Sequence, residues 1–295
     1  MAESTASSAN AQGSLNLQLI AAKAGDLPPM PGLAVQALQM TKDTKVSARD
    51  LQAVITRDQA LTARILRIVN SAMFALRGEV STVSHAVAVL GMDAIRSIIM
   101  SASVQQVLQA GGAKGYDLGT RLLFDHSWGA AGAARILAES TRYPNAEEAF
   151  LCGLMHDIGK PILMRNFPGR YTQIMADVYA GRAGFHTLEL QAFGFSHAHV
   201  GALVAERWNF PWRFSEAIGF HHDPLSSSEH LHLACITNLA NSIMVQMEIG
   251  FEKRKDLDLS AEPAAAFLKL NHQALDETIE KVRHLLANTA SSPRL

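Results

Sequence analysis

Histidine is the residue type best able to do chemistry in this sequence, and it is unevenly placed. Nine of the 12 histidines fall between positions 126 and 232. His156 stands beside Asp157 at the end of the apolar run FLCGLMHDIGKP. An imidazole next to a carboxylate offers nitrogen and oxygen donors together, which suits a divalent metal such as iron, manganese, zinc or magnesium. Neighbours on a helix diverge by about 100°, so both reach one ion only if it lies between their directions. His126 opens the small-residue segment HSWGAAGAARILAES thirty positions upstream. A helix of that length, a turn and a return helix bring His126 back to the level of His156.

Downstream, His197 and His199 point about 200° apart on a helix, so at most one faces a shared interior site. His197 has Gly201 one turn on, which leaves room for close approach, and is the better placed. His221 and His222 end the series at a helix terminus, where imidazoles also complement the negative end of the dipole. A metal-free alternative stands beside this reading: Asp157 can satisfy the nitrogens of a buried imidazole pair without any ion. His85, His186, His230, His232, His272 and His284 read as surface or core residues. Arg57, Arg64 and Arg67 fall within about 80° on one helical face. Such a face can grip a phosphate or an acidic partner, although a solvated face is the commoner arrangement.

The elements that must position these residues are helices. None of the 10 prolines falls between Gly32 and Tyr143, as a helix-rich segment requires, because an interior proline costs a helix about 3 kcal/mol. In DQALTARILRIVNSA, Leu61, Ile65, Leu66 and Val69 recur at three- and four-residue steps and form one apolar stripe. Ser47 is placed to cap SARDLQAVI, with Asp50 near the positive end of its dipole. No segment shows the two-residue alternation of a half-buried strand, so the expected class is all-α. Gly111-Gly-Ala-Lys-Gly115 lacks the strand and the Lys-Ser/Thr pair of a phosphate loop and reads as a joint. The expected organisation is a mobile tail (1–14), an N-terminal helical part (15–110), a joint (111–117), a helical bundle (118–250) and a C-terminal extension (251–295). In that extension Ile279, Val282, Leu285 and Leu286 share one face for docking on the body.

Composition narrows the function. Apolar residues make up 48% and charged residues 18%, with a net charge of -1. A chain so near neutrality lacks the positive field of a non-specific nucleic-acid binder. Cys152 and Cys235 have no CxxC spacing and read as buried free thiols, which suits a cytoplasmic location. No run of about 18 uninterrupted apolar residues marks a membrane helix, so no membrane partner is expected.

The order His126, His156-Asp157, His197, His221-His222 resembles the HD superfamily of metal-dependent phosphohydrolases. LPPMPGLAVQALQM, TRDQALTARILRIVNSAMFA and STVSHAVAVLGMDAIRSIIMSASV resemble the opening of HDOD domains, the HD-related output domains of bacterial signalling proteins. FLCGLMHDIGKPIL and HAHVGALVAERWNFPWRFSEAIGFHHDP continue the likeness, which runs from about Leu27 to Met244. Gln59 stands where the family usually has proline, a change that restores a backbone donor in the first turn.

The resemblance implies metal ligands at His126, His156 and Asp157, with a late aspartate whose matching position here is Asn241. An amide brings no negative charge to balance an ion, which weakens metal binding. His197, His221 and His222 match positions that hold a second metal in the HD-GYP branch, yet His221-His222 runs straight into Asp223-Pro224 with no Gly-Tyr-Pro segment. The leading expectation is therefore a bacterial regulatory protein whose HDOD domain binds signalling proteins on other chains without catalysis. The competing one is a metal-dependent phosphodiesterase on the same ligands. A third has the pocket binding a nucleotide without cleaving it.

Overall fold

The computed structural model describes residues 17–41, 43, 45–74, 76, 78–110 and 118–290. The expected tail (1–14) and joint (111–117) lie outside the described residues. Among those described there is no strand: the chain is all-α. Five helices come first: α1 (Leu17–Ala24), α2 (Gly32–Met40), α3 (Ala48–Ile55), α4 (Gln59–Val69) and α5 (Val83–Ala110). A long hairpin follows, α6 (Leu118–Ser140) and α7 (Ala146–Met155), and then α8 (Gly159–Asn166), α9 (Pro168–Tyr179) and α10 (Phe185–Phe193). The chain continues through α11 (His197–Arg207), α12 (Trp212–Gly219), α13 (Leu231–Gln246), α14 (Pro263–Phe267) and α15 (His272–Ala290).

Local chemistry accounts for several helix starts. Ser47 and Asp50 exchange side-chain and backbone bonds in a capping box at α3. Asp58 caps α4 by accepting the Leu61 N–H at 2.9 Å. That cap places Arg57 in the preceding turn, outside the helix. The three arginines therefore do not share one helical face: Arg64 bonds Gln106 and Arg67 turns back to the Ala63 carbonyl. Of the expected α4 stripe Leu61, Ile65 and Val69 are buried and Leu66 partly so, while Ile68 joins them in the core. The helix ends with the stripe at Val69, and the Asn70 side chain that follows pairs with both the N–H and the C=O of Val80 at 2.8 Å.

The stretch Val83–Val107 is long and apolar enough to cross a bilayer by composition. A search for uninterrupted apolar residues passes over it because Asp93 and Arg96 interrupt the run. In the fold, Gly91 breaks α5 (φ 81, ψ 170), a left-handed conformation that glycine adopts without a Cβ clash. Beyond the break Ile95, Ile98, Ile99 and Ala102 are fully buried, and α5 packs on α2, α3, α4 and α7.

The α6–α7 hairpin is the centre of the second half. The small residues Gly129 to Ala134 let α7, α13 and α15 lie close to α6. At Gly153 of α7 a Cβ would stand 2.6 Å from the Ala130 carbonyl oxygen, so the two backbones touch there. On α15, Val282 is fully buried and Ile279, Leu285 and Leu286 pack on the same core. The expected docking of that stripe is what the structure shows. Gly153→Ala should force the hairpin apart and lower stability by about 1–3 kcal/mol, the usual cost of overpacking. Urea unfolding followed by circular dichroism measures this, and an unchanged midpoint would mean that the hairpin tolerates wider spacing.

Candidate metal centre

The antiparallel hairpin and the helices packed on it bring the scattered histidines together. His126 lies two turns inside α6 rather than at a helix start, and His156 is the C-cap of α7. Their Nε2 atoms stand 3.3 Å apart. Asp157 follows His156 and points between two groups: Oδ2 lies 3.6 Å from His126 Nε2 and 3.4 Å from His156 Nε2, while Oδ1 lies 3.1 Å from His197 Nε2. His197 opens α11, and its backbone reaches so close to α8 that a Cβ on Gly159 would stand 2.1 Å from its carbonyl oxygen. His221 and His222 follow α12, with His222 Nε2 at 3.0 Å from His197 Nε2. Asn241, on α13, places Oδ1 at 2.9 Å from His126 Nε2.

The outer nitrogen of each ring is held in place. His126 Nδ1 meets the Ile249 carbonyl at 2.8 Å, His156 Nδ1 the Gly153 carbonyl at 2.7 Å, and His221 Nδ1 the Ile218 carbonyl at 2.7 Å. A carbonyl only accepts, so each of these rings donates its Nδ1–H and turns its Nε2 toward the interior. Burial, partly offset by Asp157, lowers His126 to about 4, so this ring is neutral and has no second proton for Asn241. The Asn241 amide therefore either turns its NH2 toward His126 or keeps its oxygen inward beside a cation; oxygen and nitrogen of an amide are interchangeable by shape.

His197 differs because two carboxylates flank it. Glu189 Oε2 accepts both its Nδ1–H and its backbone N–H at 2.6 Å, and the Tyr171 hydroxyl donates to Glu189 Oε1 at 2.8 Å. Burial works against a charged ring here, but the Glu189 carboxylate outweighs it and lifts His197 to about 9. Its Nε2–H then points at His222, whose ring burial and neighbouring histidines hold well below the usual range. Burial would also push the Asp157 carboxyl up, but His156 and Lys160 pull it well below the usual carboxylate range. Lys160 Nζ donates to Asp157 Oδ2 at 2.7 Å from inside the protein.

The donors fit a divalent metal. His126, His156 and Asp157 form one group whose donor atoms lie within 4.8 Å of one another, and His197, His221 and His222 form a second. Asp157 Oδ1 and His221 Nε2 are buried without an aligned hydrogen bond, which is costly unless a cation or a water completes them. Nitrogen ligands fixed through the opposite ring nitrogen are the usual support of metal-binding imidazoles.

A family model for the HDOD domain matches residues 27–224. The chain belongs to the HDOD family. An uncharacterised curated protein from Treponema pallidum (strain Nichols) is 27% identical over 227 residues, covering 75% of this chain and 43% of its own length. The chain thus spans less than half of that relative. An HDOD domain protein of unknown function from Geobacter sulfurreducens superposes with a TM-score of 0.79 at 22% identity, over 97% of this chain and 100% of its own. A Shewanella amazonensis protein, provisionally named a phosphohydrolase, superposes with a TM-score of 0.76 at 24% identity, over 95% of this chain and 99% of its own. At those identities the HDOD likeness to solved structures establishes the fold.

Several residues of this centre were not singled out by the sequence. Lys160 was legible, since it lies three residues beyond Asp157 and i,i+3 side chains meet. Glu189, Tyr171 and the Ile249 carbonyl come from distant helices or loops and carry no local signal. His186, grouped with the incidental histidines, lies against His222 with ring centroids 4.4 Å apart, and its Nδ1 is buried without a partner. His199 instead turns back to accept the Ser196 N–H at 2.9 Å. His232 bonds the Thr141 hydroxyl.

These protonation states set a pH profile for protein treated with chelator. His197 is raised, so its contribution is full below 6.5 and is lost as pH rises through about 9. His126 and His199 are lowered, so theirs is lost as pH falls from 6.5 through about 4. Urea midpoints across this range should fall on both sides of a maximum between those limits, and Glu189→Gln should flatten the alkaline limb. An alkaline limb unchanged in that variant would show that Glu189 does not hold the proton on His197.

Proposed function

We propose that this is a regulatory protein whose HDOD domain works by binding other signalling proteins, with a metal held in its core for structure rather than turnover. One observation carries the reading: the centre is sealed. His156, His197 and His221 are fully buried, and Asp157 and His126 are 2% and 5% exposed. The cavity beside His126, Asp157, Lys160 and Asn241 measures about 10 Å³. That space is on the scale of a single water, far below a phosphodiester.

Specific contacts make the seal. After α13 the chain lays Ile249, Phe251 and Glu252 over the centre. The Glu252 carboxylate accepts the Phe185 N–H at 2.7 Å, and the Phe251 ring packs edge-on against Phe185. Lys160 lies over the Phe185 ring, 4.6 Å from its centroid, and is already committed to Asp157. A phosphohydrolase needs a route for its substrate, and here the protein's own groups leave only about 10 Å³ beside the ligands.

In the HD phosphohydrolases that the ligand series resembles, a bound divalent metal supplies an activated water and charge stabilisation on phosphate. Here His126, His156 and Asp157 would hold one ion, and His197, His221 and His222 are placed for another. The chain's own residues orient these donors through Gly153, Ile218, Ile249 and Glu189 and, where no second ion binds, keep a proton between His197 and His222. The phosphohydrolase reading retains the support of the nearly intact ligand set. It is the second reading because the carboxylate it needs at position 241 is an amide.

Elemental analysis of protein purified without added ions should find iron, manganese or zinc, lost in His156→Ala, with a lower thermal midpoint after chelation. Bis(p-nitrophenyl) phosphate with manganese should show no turnover. Turnover that disappears in His156→Ala would replace this reading with the enzyme. Asn241→Asp should raise metal affinity by restoring a charged ligand, and an unchanged affinity would mean that position 241 does not reach the ion.

A further inference from the structure

A well-formed hollow lies away from the metal centre, in the seam between the N-terminal helices and the bundle. It measures about 550 Å³, within the range of small-molecule sites and far larger than the space at Asp157. One wall comes from α2 and α5, and the other from the start of α7 and the α11–α12 turn. Leu38, Met100, Leu151, Trp208, Phe210 and Phe214 supply an apolar and aromatic lining. The Trp208 indole N–H is already used on the Pro28 carbonyl at 3.0 Å, so its ring serves as a fixed wall.

Charge around the hollow is almost wholly cancelled by internal pairs. Asp93 pairs with Arg96, Glu147 with Arg135, and Glu148 with Arg213. Arg96 also donates to the hydroxyl and carbonyl of Thr41, so it too is occupied. Arg207 remains. It is exposed at the rim, has no hydrogen-bond or ion-pair partner among the described residues, and also borders a neighbouring hollow of about 560 Å³. An apolar cavity with one uncommitted guanidinium at its mouth selects a ligand with an apolar body and a single anionic head.

We propose that this seam is a binding site for a small amphipathic anion, an aliphatic or aromatic body carrying one carboxylate or one phosphate. The site contacts both halves of the fold, so its occupant changes the free energy of one half packing on the other. It gives the regulatory domain an input that does not involve the metal centre, and it stands whether or not a metal is bound.

Isothermal titration calorimetry on the full chain tests this with three probes of equal chain length: decanoate, decyl phosphate and decylammonium. One or both anions should bind at one per chain, at least tenfold more tightly than the cation. Arg207→Gln, a surface change, should weaken that binding about tenfold, the worth of one charge-assisted hydrogen bond. Val35→Trp, which fills the hollow from an exposed position on α2, should abolish it while the urea midpoint stays at that of the unaltered chain. Binding of one anion alone assigns the head group as carboxylate or phosphate. Absence of binding by every probe, equal binding of decylammonium, or undiminished binding in Arg207→Gln overturns the proposal.

Discussion

A carboxylate buried at the junction of five helices governs the second half of this protein. Asp157 is 2% exposed and ionised, and an isolated charge in that position would cost several kcal/mol. The fold answers with cations and donors from every side. Lys160 comes from the next turn, His156 from the previous residue, His126 from the opposite arm of the hairpin and His197 from the start of α11. Each answering group creates a further demand. His197 needs Glu189, Glu189 needs Tyr171, and the rings of His126 and His156 need carbonyls for their outer nitrogens. The result is a polar core in which nearly every atom is committed, leaving Asp157 Oδ1 and His221 Nε2 without aligned partners.

On the regulatory reading proposed above, this arrangement separates metal binding from catalysis. Donors that converge in a closed space suit a metal, because metal binding needs the ligands and their orientation. Hydrolysis also needs room for a substrate. The cover laid by Phe185, Phe251 and Glu252 leaves about 10 Å³ beside Asp157, the space of a single water. Space of ligand size lies instead in the seam between the two helical sets, where α5 meets α7 and the α11–α12 turn.

Much of the fold was legible in the residues. Ser47 and Asp50 act over three residues, so their capping is readable without tertiary knowledge. The small residues of α6 announced close helix packing, and the length of the hairpin placed His126 opposite His156 by simple rise per residue. The arginine face was misread because helical projection assumes one continuous helix, and the Asp58 cap breaks it. The apolar stretch of α5 was passed over because two charges hid its length.

The sequence by itself determined the all-α class, the helix caps, the hairpin and the ordered ligand series from His126 to His222, because these rest on local spacing and on motifs that survive as strings. Only the tertiary structure decided that His197 is held as a cation by Glu189, that His186 borders the second group, and that the centre is closed. Those outcomes depend on residues eight to more than a hundred positions apart meeting in one desolvated space. There the local dielectric, rather than residue type, decides which groups keep their protons and what can enter.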